Sequence, residues 1–131
     1  LPEKLELLNE ARRVARDGAG MHFSFILPTT GLSTEEHYEV LETGPPFVGV
    51  DGDYVDLLHG SGWHVVECQD VTAEYENSLQ RLVDGFIANE DELVQVLGRD
   101  DLASKREHRE DQIALIKRGL LRRDVYVATA I

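Results

Sequence analysis

The chain has 131 residues, 42% of them apolar and 29% charged, which suits one compact soluble domain and no more. Its formal charge of −12 repels phosphate backbones and anionic membranes, so a broad nucleic-acid face is excluded. No apolar run approaches the ~20 residues of a membrane span, and the single cysteine, Cys68, can form no internal disulfide, which fits a reducing cytoplasm.

The opening Leu1-Pro-Glu-Lys lacks the basic-then-apolar pattern of a signal peptide, and it lacks an initiator Met, so a start made by cleavage or truncation is expected. Residues 3–16 follow as a helix, with Leu5, Leu8, Ala11, Val14 and Ala15 at helical spacing and Asp17-Gly18 as its stop. Residues 21–27 form a nearly continuous apolar strand, the pattern of a strand covered on both faces in a parallel sheet. Ser33 with Glu36 forms a capping box for a short helix that Gly44-Pro45-Pro46 breaks. A second short helix covers about 52–60, and residues 63–69 are the next strand.

Thr72 is a suitable N-cap for a long helix from about 73 to 97, ended by Gly98. A charged helix follows from about 101 to 118, with Gly119 as its cap, and the tail from Asp124 is the last strand. This order defines an α/β fold in one domain, 1–131. The helical crossover makes the first two strands parallel, while the hairpin of long helices allows either direction for the third.

Three stretches resemble one family. Leu8-Asn-Glu-Ala-Arg-Arg-Val-Ala-Arg-Asp-Gly-Ala-Gly leading into Met21 is similar to the helix, turn and strand 5 of class I S-adenosylmethionine-dependent methyltransferases. Tyr54-Val-Asp-Leu-Leu-His-Gly-Ser-Gly-Trp-His-Val-Val-Glu resembles their strand 6 and the helix before it, and Gly119-Leu-Leu-Arg-Arg-Asp-Val-Tyr-Val-Ala their closing strand 7. The Asp70-Val-Thr72 opening of the insertion at 73–118 resembles the small-molecule methyltransferases. The resemblance implies half of a Rossmann-like sheet, in the spatial order 5, 7, 6, with helices on both faces. The last strand is then antiparallel between the other two.

The family's cofactor site needs a glycine-rich turn after a strand, because the backbone must approach the ligand closely. Gly18-x-Gly20 and Gly60-x-Gly62 precede strands and lack the next glycine, and the run Phe47 to Gly52 lacks the glycine pair. No cofactor-binding residue is therefore assigned. S-adenosylmethionine belongs to the parent family and is not expected to bind this chain tightly. The implied activity is methyl transfer to a small-molecule acceptor, absent from this chain alone. The competing reading is a non-catalytic binding or assembly module.

Sites of α/β sheets lie beyond the carboxyl ends of parallel strands. Asp70, Thr72 and Tyr75 follow one such strand, and Thr29 and Thr30 follow the other, so these five are the candidate acceptor-binding residues. Tyr75 could offer its hydroxyl and Asp70 could orient an amine, or the group could be a helix cap with a packed tyrosine. The five histidines show no metal spacing, and Cys68 is expected as a buried inert thiol. The basic clusters read as solvated faces, with an anion pocket in the last one (Lys117, Arg118, Arg122, Arg123) as the alternative. The helices of 73–118 could be a lid over the acceptor pocket or an oligomer interface. Finally, the missing half would leave the strand at 21–27 with an open edge, which natural proteins cover. A homo-oligomer, a second chain or an exchanged segment is expected there.

Overall fold

The computed structural model describes residues 2–46, 48–49 and 53–131. Among the described residues six helices and three strands follow in the order α1 (Pro2–Val14), β1 (Gly20–Pro28), α2 (Thr34–Thr43), α3 (Tyr54–Gly60), β2 (Trp63–Asp70), α4 (Thr72–Ala88), α5 (Glu90–Leu97), α6 (Arg99–Lys117) and β3 (Leu121–Ala130). The strands form one sheet in the order β1-β3-β2. Both outer strands are antiparallel to β3, so β1 and β2 run parallel to each other without a shared ladder. The expected topology is therefore present, although the described sheet has no parallel pair.

Side chains alternate across a strand with period two, and β3 shows it clearly. Tyr126, Ala128 and Ala130 are buried against α1 and α3, in a cluster with Leu8, Leu58 and Trp63. Leu121 faces the opposite layer, where Val40 of α2 meets Tyr75, Leu79 and Val83 of α4 and Leu115 and Ile116 of α6. Helices thus cover both faces. Trp63 is fully buried, its indole N–H donates to the Leu8 carbonyl at 3.2 Å, and Phe23 meets its ring edge-on at 5.2 Å.

Five readings of the sequence shift. First, β1 is not covered on both faces along its length. Met21, Phe23, Phe25 and Leu27 pack toward α1 and α3, and Ile26 reaches the other layer, but His22 and Ser24 are exposed. Second, Thr72 is the first residue of α4 rather than its cap. The Asp70 carboxylate takes the capping role, accepting from the Thr72 N–H at 2.8 Å and its hydroxyl at 2.5 Å. Third, the helix expected over 73–97 breaks at Asn89, whose side-chain amide donates to the Gly85 carbonyl at 2.9 Å. A side chain that binds its own backbone competes with the helix ladder. Fourth, Cys68 is exposed rather than buried, because the N-terminal residues of β2 alone lie under α3. Fifth, α1 ends at Val14, two residues early.

The bonds Ala130 N–H to Ala19 and Thr29 N–H to Leu120 set the parity of the β1–β3 ladder. Odd-numbered residues of β1 bond to β3, so the backbone groups of His22, Ser24 and Ile26 turn to the outer edge. Among the described residues nothing pairs with that edge. Pro28 has no N–H to offer and closes the row.

The packing of α4 on the sheet is testable. Leu79 is 2% exposed in the second cluster. Leu79→Ala is expected to lose about 2–5 kcal/mol of stability. The check is urea denaturation followed by the fluorescence of Trp63, the chain's one tryptophan. A loss below about 1 kcal/mol would mean that α4 is not docked as described.

Candidate functional site

A cleft of about 510 Å³ opens at the C-terminal end of β1, within the size range of small-molecule sites. Leu27 to Thr34 form one wall, so the strand end and the capped start of α2 both border it. His37, Asp53 and Tyr54 line it from the helical side, and Arg122 and Tyr126 from β3.

The register explains why Arg122 arrives there. It stands opposite Leu27 and on the same face of β3 as Asp124 and Tyr126. Its Nη2 donates to Asp124 Oδ2 at 2.5 Å, and the Tyr126 hydroxyl donates to the same oxygen at 3.3 Å. Asp124 is 1% exposed. A carboxylate this deep remains charged only if paired, because desolvation is costly. Two atoms of the pair, Arg122 Nε and Asp124 Oδ1, are buried without a partner. Across β3, Asp70 stands opposite Asp124 and Cys68 opposite Tyr126. Although Cys68 is exposed, partial desolvation of its sulfur, with the Asp124 charge adding to it, pushes the thiol up. Burial pushes the Tyr126 hydroxyl up as well.

Tyr54 closes the helical side. Its ring stacks on Phe25 at 4.0 Å and its oxygen accepts from Lys4 Nζ at 2.6 Å. Burial pushes its hydroxyl up to about 12 and lowers the Lys4 ammonium. Asp53 precedes it as the cap of α3, its Oδ1 accepting from the Val55 N–H at 2.6 Å.

The five residues singled out in the sequence share one edge of the sheet but divide into two groups. Thr29 and Thr30 line the cleft; Asp70, Thr72 and Tyr75 do not. The buried Tyr75 hydroxyl donates to Gln112 Oε1 at 2.9 Å, between α4 and α6. Thr72 Oγ1 accepts from the Arg123 N–H at 3.1 Å and so ties α4 to β3. Arg122 was named only within the alternative anion pocket of the last basic cluster, and Asp124, Tyr126, Tyr54 and His37 were missed. The signal available was the alternation Arg122-x-Asp124-x-Tyr126, which places two charges on the face that then carries Ala128 and Ala130. The other members of the last basic cluster diverge. Arg118 forms a forked pair with Glu39, and Arg123 Nε donates to Ser24 Oγ at 2.7 Å. Elsewhere Arg12 donates to the Ile131 carbonyl at 2.7 and 3.1 Å, a role that a solvated face does not describe.

Among the described residues, no three His, Cys, Asp or Glu side chains group to hold a metal, and no helix is long and apolar enough to cross a membrane. The glycine pairs serve turns. Gly18 (φ 80°) leads into β1, and Gly62 (φ 86°) leads into β2 with Arg12 packed where a Cβ would sit. Neither follows a strand, so neither fits a cofactor cradle. Most of the run from Phe47 to Gly52 lies outside the described residues.

No family model and no curated protein matches the sequence. Solved structures do match the fold. A Galdieria sulphuraria protein provisionally assigned as a sarcosine dimethylglycine methyltransferase superposes with a TM-score of 0.84 at 16% identity, over 98% of this chain and 48% of its own. Phosphoethanolamine N-methyltransferase 2 of Haemonchus contortus, in complex with phosphomonomethylethanolamine and S-adenosylhomocysteine, gives 0.78 at 9% identity, over 98% and 30%. The cyclopropane synthase MmaA2 of Mycobacterium tuberculosis gives 0.74 at 9% identity, over 98% and 50%. The chain therefore has the fold of part of a class I S-adenosylmethionine-dependent methyltransferase, and it spans half or less of those three chains.

The Tyr54 environment makes a prediction. An unfolded tyrosine titrates near ~10, and the folded value is about 12. The stability held by neutral Tyr54 is complete below about pH 10 and is lost progressively as pH rises from ~10 to ~12. Tyr54→Phe should flatten that part of the stability–pH curve, measured by urea denaturation at alkaline pH. An unchanged slope would place the titration elsewhere.

Proposed function

We propose that the chain is the C-terminal, acceptor-side portion of an S-adenosylmethionine-dependent methyltransferase acting on a small molecule, inactive alone, in the cytoplasm. The observation that carries this reading is the superposition of 98% of the chain on part of a methyltransferase fold, with a TM-score of 0.84. The cleft supports it, since it lies beyond the carboxyl end of β1, where α/β folds hold ligands. Two of the fold neighbours are named for small amine acceptors, which supports an acceptor of that size. The described residues offer no cradle for the methyl donor, whose sulfonium would supply the electrophilic methyl group. The donor site is thus assigned to a separate, N-terminal half. Methyl transfer depends largely on alignment of donor and nucleophile, so this portion contributes positioning.

Calorimetry tests the division of labour. Titrated with S-adenosylmethionine, this chain is expected to give no binding heat. Joined to a cofactor-binding half, it should bind the donor and transfer methyl groups. Tight binding by the chain alone overturns the proposal, as does a joined protein that binds no donor.

The open edge of β1 favours a second reading for the isolated chain, an assembly module. The N–H and C=O groups of His22, Ser24 and Ile26 form a template for another strand. Size-exclusion chromatography with light scattering should show a dimer or larger species. Ser24→Pro, which removes an outward donor without touching the β3 ladder, should shift it toward monomer. A monomer at high concentration rules this reading out.

A further inference from the structure

We infer that Arg122 anchors an anionic group, a carboxylate or a phosphate, of the small molecule that the cleft binds. The inference rests on the cleft being the acceptor site proposed above. Among the described lining residues Arg122 is the only Lys or Arg. Asp124 is sealed behind it at 1% exposure, while the Arg122 side chain is 32% exposed. The charge that this end of the cleft presents is therefore positive.

Arg122 is also held in place. The 2.5 Å bond to Asp124 fixes the guanidinium, and the Tyr126 hydroxyl supports the same carboxylate oxygen. A donor fixed beforehand loses little freedom when a ligand arrives. Asp124 occupies only Nη2. Nε is buried, and Nη1 has no hydrogen-bond partner among the described residues and is not among the buried atoms. Nη1 is thus a donor without a partner among the described residues, available to a ligand. Thr29 and Thr30 also line the cleft, and neither forms a side-chain hydrogen bond within the described chain. Carboxylate and phosphate oxygens accept from both kinds of donor, and arginine is suited to either by its planar fork. Asp53, the acid on the helical side, has one oxygen engaged as the cap of α3. The overall charge of −12 works against loose adsorption of anions, so a saturable response at this place would be specific.

The test is NMR titration of the ¹⁵N-labelled chain with sodium phosphate and, separately, sodium acetate, each against sodium chloride at equal ionic strength. Saturable shifts are expected at the amides of Thr29, Thr30 and Arg122 with at least one anion, and the anion that saturates identifies the group. The double variant Arg122→Gln/Asp124→Asn removes both charges of the buried pair together, and it should abolish saturation while keeping the dispersed spectrum. Should that variant not fold, Arg122→Lys decides. It keeps a charge beside Asp124 but loses the fork, and the midpoint should rise about tenfold. Shifts that stay linear with both anions overturn the proposal. So does saturation unchanged in the folded double variant, or an unchanged midpoint in Arg122→Lys. The titration contains no methyl donor. Its failure leaves the methyltransferase reading standing, and failure of donor binding in the joined protein leaves the anchor standing.

Discussion

The pairing of β3 on both of its edges is the constraint on which the rest of the molecule depends. It is the last strand in the chain, yet it lies in the middle of the sheet. Among the described residues β1 and β2 share no ladder with each other, and each pairs with β3. The two halves of the core, one under α1 and α3 and the other under α2, α4 and α6, are separated by its two faces. Long-range pairing of this kind costs loop-closure entropy before it yields contacts. The helical insertion therefore has to bring β3 back antiparallel before the sheet exists at all.

That geometry also creates the cleft. An antiparallel central strand begins where its parallel neighbours end, so the first residues of β3 lie at the ligand edge beside the last residues of β1 and β2. Arg122 faces Leu27, and Asp124 faces both Phe25 and Asp70. Two charges in an otherwise apolar row would be a defect in an ordinary core strand. At the edge of the sheet they form an ion pair with its carboxylate inside and its cation toward the cleft. Burial and function are linked here by chain direction.

The insertion has two roles. Its end nearest the sheet is structural, with Tyr75 and Gln112 joined inside the core and Thr72 tied to β3. Its far end is not. The residues of α5 include none that are buried, and Val96 is 80% exposed. A segment with few buried contacts is drawn from the low-stability end of a fold. That contrast separates an end docked on the sheet from an exposed end where α5 packs on α4 and α6 among the described elements.

Much of this was legible in the chain itself. Local rules determined the elements: the Ser33–Glu36 capping box, the glycines closing turns at Gly18, Gly98 and Gly119, and the apolar periodicity of α1 and α4. The resemblance added the strand order. What local pattern could not decide was which side chains meet. Tyr75, Asp70 and Thr72 have the residue types of a site, and only packing directed the hydroxyl of Tyr75 to Gln112 and the carboxylate of Asp70 to the start of α4. Arg122 and Arg123 are neighbours in sequence, and the pleat of β3 sent one to the cleft and the other to Ser24 and the ring of Tyr75. Period-two alternation is written in the sequence, but which face meets solvent, helix or ligand depends on partners up to a hundred residues away. For that physical reason the elements belonged to the sequence, and the site to the tertiary structure.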